Sequence, residues 1–237
     1  MPRPTADRQA DVRHALVLML TLNAGAIDAI GFLALGGAFT SVMTGNLVLF
    51  GISAAHADSG LARHTATAIA CFIAGCVVGA RLAGTAHDAD PVWPRSVTRT
   101  LLVQFAIFCV FAVSWWFIGG RPHGAAQLAL LAVNAVGLGI QSSTVQRFGV
   151  SGLSTTYMTG TLTTLVVRLS SGHRIRDIKG SAQLLIALVA GAVLSGVLNR
   201  DVPSMVPLLQ LVSIGSVIVF STLLTPLRRV AAVGGAI

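Results

Sequence analysis

One carboxylate, Asp28, lies inside a run from Ala15 to Ala38 that carries no other charge. The remaining acidic residues, all aspartates, fall in tails or loops. An ionised carboxylate in hydrocarbon costs about 2.5 to 3.5 kcal/mol on insertion scales, so Asp28 needs a proton, a partner or a water-filled cavity. Two roles follow. Asp28 carries a proton during transport, or it accepts hydrogen bonds from the freed backbone of an interrupted segment. Asn23 lies five positions earlier, about 140° around a helix, so the two need not face one ligand.

Two short segments supply the other candidates. Thr44-Gly45-Asn46 and Thr159-Gly160-Thr161, the latter with Thr155 just upstream, offer hydroxyls, an amide and glycine-loosened backbone. Unwound backbone at membrane depth is tolerated only when it is buried in protein or faces water. A short helix following each break, Leu47 to Ala55 or Leu162 to Arg168, would aim its N-terminal N–H groups at that break, a setting that suits an anion or a dipolar solute. The competing reading is a close-packed helix crossing, where Gly, Ser and Thr let backbones approach.

These segments are copies of one another. An offset of 115 pairs Thr40 with Thr155, Met43 with Met158, Thr44 with Thr159, Gly45 with Gly160 and Leu47 with Leu162. At an offset of 116, Ala74 to Gly79 meets Ala190 to Ser195, small residue on small residue. An offset of 113 sets Gln141 opposite Asp28, within a stretch that also holds Asn134, Ser142, Ser143 and Thr144. On that pairing the site is acidic on one side and neutral on the other, which suits proton coupling through Asp28.

The elements that must position these residues are membrane spans. The chain has 237 residues, 54% hydrophobic and only 10% charged, and its mean hydropathy is +0.80; a soluble domain carries about a quarter of charged residues. Six runs are long and apolar enough to cross a bilayer: Ala15 to Ala38, Ala62 to Gly84, Val97 to Ile118, Gly124 to Gln146, Gly180 to Leu198 and Ser204 to Leu224. Phe39 to Ala55 and Gly149 to Leu169 are shorter, polar at one end, and read as broken or re-entrant pieces.

The fold expected is an all-α polytopic membrane protein. Six transmembrane helices plus two short re-entrant segments form two inverted three-span repeats, since an odd number of spans per half turns the second half over. The domain boundaries expected are a cytoplasmic tail at 1–14, repeats at 15–120 and 121–226, and a second cytoplasmic tail at 227–237. With cytoplasmic termini, thirteen basic residues lie inside and three, Arg63, Arg121 and Arg200, outside. If both short segments also spanned, making eight crossings and parallel repeats, the count would be eleven to five.

Other function classes lack support. A net charge of +8 could suggest nucleic acid, but the basic residues sit between or beside apolar runs, where they set topology and meet lipid headgroups; no nucleic-acid partner is expected. Cys71, Cys76 and Cys109 lie in apolar runs without a CxxC pair, and the histidines stand at segment ends or in loops without HExxH spacing. No metal, cofactor or catalytic residue is expected, and the chain does not read as an enzyme. The apolar run after Met1 to His14 continues without a small-residue cleavage site, so a cleaved signal peptide is not expected. Gly75-x-x-x-Gly79 and Ala187-x-x-x-Gly191-x-x-x-Ser195 are ridges for tight helix contact, within one chain or across a homo-oligomer.

Ile27-Asp28-Ala29-Ile30-Gly31-Phe32-Leu33-Ala34-Leu35-Gly36-Gly37, Met43-Thr44-Gly45-Asn46-Leu47, Gly139-Ile140-Gln141 and Thr155-Thr156-Tyr157-Met158-Thr159-Gly160-Thr161-Leu162 together resemble the YoaK family of bacterial membrane proteins over nearly the whole chain. The resemblance implies a bacterial inner-membrane protein of about six helices and says little about substrate. Gln141-Ser142-Ser143 stands where the family pattern suggests a Gln-Asn-Ala-like stretch, so a role for an asparagine there does not carry over. Gly149 to Tyr157 is also similar to the Gly-rich, Thr-Thr-Phe helix break of small fluoride channels.

The function expected is a small-solute secondary transporter or facilitator, in contact with membrane lipids and an unidentified solute. Its site lies between the repeats and is formed by Asp28, Thr44, Gly45, Asn46, Gln141, Thr155, Thr159, Gly160 and Thr161. A passive anion channel using the same breaks, and a non-transporting structural or regulatory protein, are the alternatives.

Overall fold

The computed structural model describes residues 4–84, 93–146, 158–172 and 175–224, and these contain helices and turns but no strand. The helices are α1 (Pro4–Ala34), α2 (Met43–Ala55), α3 (Ser59–Ala83), α4 (Arg95–Phe117), α5 (Gly124–Gln146), α6 (Met158–Ser170), α7 (Ile175–Asp201) and, after a 3-10 turn at Pro203–Met205, α8 (Val206–Leu224). Their ends follow local chemistry. The Asp58 carboxylate caps α3 by accepting from the Gly60 and Leu61 N–H groups at 3.0 Å each, and α4 begins directly after Pro94.

Six of these helices contain an apolar stretch of 19 to 25 residues, long enough to cross a membrane. The chain is therefore an all-α polytopic membrane protein. α2 and α6 have 13 residues each and reach only about 20 Å, short of a hydrocarbon core of about 30 Å.

The direction of each span can be read from its contacts. Near the start of α5, Gln127 Nε2 donates to the Ala34 carbonyl at the end of α1 (2.9 Å). Near the end of α5, Gln141 Nε2 donates to the Leu20 carbonyl (3.0 Å) midway along α1. These two bonds make α5 antiparallel to α1. α3 runs parallel to α5, because Gly75 lies on Val136 and Gly79 on Ile140. α7 runs parallel to α1, with His14 bonded to Gln183 at one end and Leu33 against Gly196 at the other. α4 opposes α5 through Gln104 with Gln141 and Phe108 with Gly137, and α8 opposes α4 through Trp115 with the Pro203 carbonyl and Phe105 with Gly215. The spans thus alternate through six crossings. Eight crossings would have made α1 and α5 parallel.

The two halves are inverted copies, and their close contacts repeat. A Cβ on Gly191 of α7 would strike the Leu22 carbonyl of α1, and one on Gly25 of α1 would strike the Leu188 carbonyl of α7. In the other pair, a Cβ on Gly75 of α3 would strike the Val136 carbonyl of α5, and one on Gly139 of α5 the Phe72 carbonyl of α3. Leu22 to Val136 and Gly25 to Gly139 are both steps of 114, while Phe72 to Leu188 and Gly75 to Gly191 are both steps of 116. The most extensive packing, α3 on α5 and α1 on α7, joins one half to the other. The halves are interlocked rather than side by side, and the ridges at Gly75, Gly79 and Gly191 are filled within the chain.

This symmetry corrects the expected pairing of Gln141 with Asp28. At a step of 114, Asp28 corresponds to buried Ser142, and Gln141 corresponds to Ile27. The offset of 113 fails because it was carried by polar character, whereas register here is set by backbone contact at glycine.

Candidate functional site

After α1 the chain turns back on itself. Gly36 and Gly37 adopt φ of +96° and +78°, which L side chains rarely tolerate. The His64 ring occupies the place a Cβ on Gly36 would take, and its Nδ1 bonds the Gly60 carbonyl at 2.8 Å. Residues 38–41 then run beside α1 toward Asp28, the Ala38 carbonyl and Thr40 closing on Gly31.

Asp28, six residues before the end of α1, holds this returning segment. Its Oδ1 accepts from the Thr40 N–H (2.7 Å), the Ser41 N–H (2.7 Å) and the Thr40 hydroxyl (2.9 Å). Its Oδ2 takes the Ser41 hydroxyl at 2.5 Å, a length typical of a charge-assisted O–H···O bond. Oδ1 is filled by three donors, so Oδ2 is the oxygen at which a proton can be carried. Asn46 performs a similar task one turn into α2. Its Oδ1 accepts from the Phe39 N–H (2.9 Å) and its Nδ2 donates to the Phe39 carbonyl (2.7 Å), while the Phe39 ring stacks on Phe32 at 5.2 Å. Two polar side chains thereby satisfy backbone that would otherwise be orphaned inside the membrane.

α2 then returns toward the side it came from, and α3 starts there, with Leu61 and His64 beside Gly37 and Gly36. α2 is a re-entrant half-helix whose first turn lies near the depth of Asp28. The sequence places the break at Thr44-Gly45-Asn46, with helix from Leu47. Instead Met43-Thr44-Gly45 is the first turn of helix, because Gly45 packs on Phe39 and Val42 and the Asn46 N–H already bonds the Val42 carbonyl (3.1 Å); the interruption is 35–42. In the second half, the residues from Met158 onward are likewise already helical, ahead of Leu162.

The predicted site residues therefore separate. Asp28 and Asn46 meet at the first break, but on its inner face. Thr44 is exposed on the outer surface of α2, and Gly45 is half-buried. In the second half Thr159 and Gly160 are exposed and Thr161 is buried, matching Thr44, Gly45 and Asn46 by position. Thr155 and the Gly149 to Tyr157 stretch that is similar to the fluoride-channel break lie outside the described residues.

Gln141 belongs to a different group. Its Nε2 donates to the Leu20 carbonyl (3.0 Å), and its Oε1 accepts from Gln104 Nε2 (2.9 Å) and Asn23 Nδ2 (3.3 Å). All three amides are fully buried. They join α1, α4 and α5, and so both halves. Asn23 and Asp28 point to different partners, as the 140° between them requires. The sequence reading missed Thr40 and Ser41 as ligands of Asp28, and Gln104 altogether; the signal for Gln104 was a lone amide in an apolar helix.

An inverted repeat of membrane helices with a re-entrant half-helix held at depth defines a polytopic membrane protein. The chain belongs to a family described as a protein of unknown function (DUF1275), whose model matches residues 16–221. It is similar to the UPF0700 transmembrane protein YoaK of Bacillus subtilis (strain 168), with 33% identity over 161 residues, covering 68% of this chain and 69% of the relative. No solved structure matches it.

Proposed function

We propose that the protein is a small-solute secondary transporter of the bacterial inner membrane, with its solute path between the inverted repeats and proton coupling through Asp28. The observation that carries this reading is the clamp of a re-entrant segment by a single membrane-embedded carboxylate. Paired interrupted segments at corresponding places in inverted repeats are where transporters of this architecture bind their solutes. A proton on Oδ2 of Asp28 turns Ser41 Oγ from donor to acceptor and removes the charge that strengthens the bonds from Thr40 and Ser41. Residues 38–42 are then freer to leave α1, and α2 moves with them. Both termini lie in the cytoplasm on this reading, supported by the thirteen-to-three basic asymmetry.

The completeness of the Asp28 and Asn46 hydrogen bonds favours a second reading, in which both are structural staples and no solute is carried. A panel of anions, amino acids, organic acids and nucleobases, tested for thermal stabilisation of the purified protein, separates the two. A ligand at 100 times its dissociation constant adds about 2.7 kcal/mol. A solute that stabilises the protein, and whose proton-driven uptake is lost in Asp28→Asn, supports transport; a panel that shifts nothing leaves the structural reading.

A further inference from the structure

The amide cluster has only one consistent arrangement. Gln141 must turn Nε2 to the Leu20 carbonyl, since the opposite orientation would set two oxygens against each other. Its Oε1 then faces Asn23 and Gln104, which must present Nδ2 and Nε2 to it. Flipping either amide would again oppose two oxygens. Asn23 Oδ1 and Gln104 Oε1 are therefore fixed as acceptors, and both are buried without a donor. Each oxygen shares its amide carbon with a nitrogen that reaches Gln141 Oε1, so both belong to one small region where α1, α4 and α5 meet.

Buried acceptors left unmet are costly, and the carboxylate on the same helix as Asn23, Asp28, is already engaged by Thr40 and Ser41. We infer that Asn23 Oδ1 and Gln104 Oε1 bind the N–H groups of a small nitrogenous solute, either an ammonium-type cation or a neutral primary amide. Among the described residues the inverted symmetry does not repeat this cluster, because the symmetry mates of Asn23 and Gln141 are Gly137 and Ile27, which offer no amide. This deepens the transport reading, on which it rests for its biological sense, by naming the chemistry of the solute.

The test is calorimetric titration of the purified full-length protein with ammonium chloride, methylammonium chloride, acetamide and, as control, potassium chloride. The expected result is one site per chain for an N–H donor, weakened about tenfold or more by Asn23→Leu and by Gln104→Met, the loss of about one good hydrogen bond, and left intact by Gln210→Leu, which removes a buried amide elsewhere. Asn23→Asp separates the sources: it tightens ammonium and methylammonium if the solute is a cation, and does not tighten acetamide if the solute is neutral. Melting curves on each variant confirm that it is folded. Equal binding of potassium, or no binding of any donor to folded wild type, overturns the inference; in the latter case water meets the two oxygens. Binding without flux in proteoliposomes upholds the inference and defeats transport. Flux of another solute, unchanged in Gln104→Met, does the reverse.

Discussion

The Ser41 hydroxyl sits 2.5 Å from Oδ2 of Asp28, across the gap between α1 and the extended segment that leads into α2. That contact closes a set of four hydrogen bonds in which one carboxylate satisfies two backbone N–H groups and two hydroxyls. Asp28→Ala leaves all four donors without their acceptor and should lower stability by about 2 to 4 kcal/mol. Ser41→Ala, which removes only the Oδ2 partner, should cost about 1 to 2 kcal/mol. Denaturant melts of both variants in the same detergent check the order.

Asn46 and Thr44 are neighbours on α2 with opposite surroundings, one buried and bonded to Phe39, the other exposed. Asn46→Ala should destabilise by about 2 kcal/mol, because both polar groups of Phe39 lose their partners. Thr44→Ala should stay within about 0.5 kcal/mol of wild type. Equal losses in the two melts would contradict the inner-face role of Asn46.

The inverted symmetry makes a paired prediction. Gly75 and Gly191 occupy corresponding places against the backbones of Val136 and Leu22, so Gly75→Val and Gly191→Val should each destabilise by about 1 to 3 kcal/mol or more, and by similar amounts. Gly51 and Gly160 have nothing near a Cβ, and alanine there should be tolerated in the same assay.

Six crossings require that the start of α3 and the connection between α3 and α4 lie on opposite sides. Single cysteines at Ser59 and Ala89, in a background with the native cysteines replaced, should label from outside and inside respectively. The reverse pattern would restore eight crossings.

Much of this architecture was legible in the chain. The six apolar runs, the two shorter segments and the duplication at Met43 and Met158 follow from hydropathy and repeated residues, because lipid requires long apolar helices. The candidate site was legible only in part. Asp28 stood out because a charge in an apolar span is costly, but its partners Thr40 and Ser41 are ordinary loop residues in sequence, and only the fold brings them back beside α1. Gln141 stands out by its polarity, but the repeat sets it opposite Ile27 rather than Asp28. Its true partners, Asn23 and Gln104, lie 118 and 37 residues away, and no local pattern connects them. Thr44 and Thr159 drew attention as repeated hydroxyls, yet repetition marks a shared fold position and not which face of the helix looks inward.

In the proposed transport cycle Asp28 links proton movement to solute movement through the re-entrant segment. The most direct test of this link is proton flux in proteoliposomes loaded with a pH-sensitive dye, driven by an inward gradient of each solute that stabilises the purified protein. The account predicts a solute-dependent pH change with wild type and none with Asp28→Asn, which cannot exchange the proton and whose melting curve checks that it is folded. An equal pH change in Asp28→Asn, or solute entry without any pH change in wild type, would contradict it.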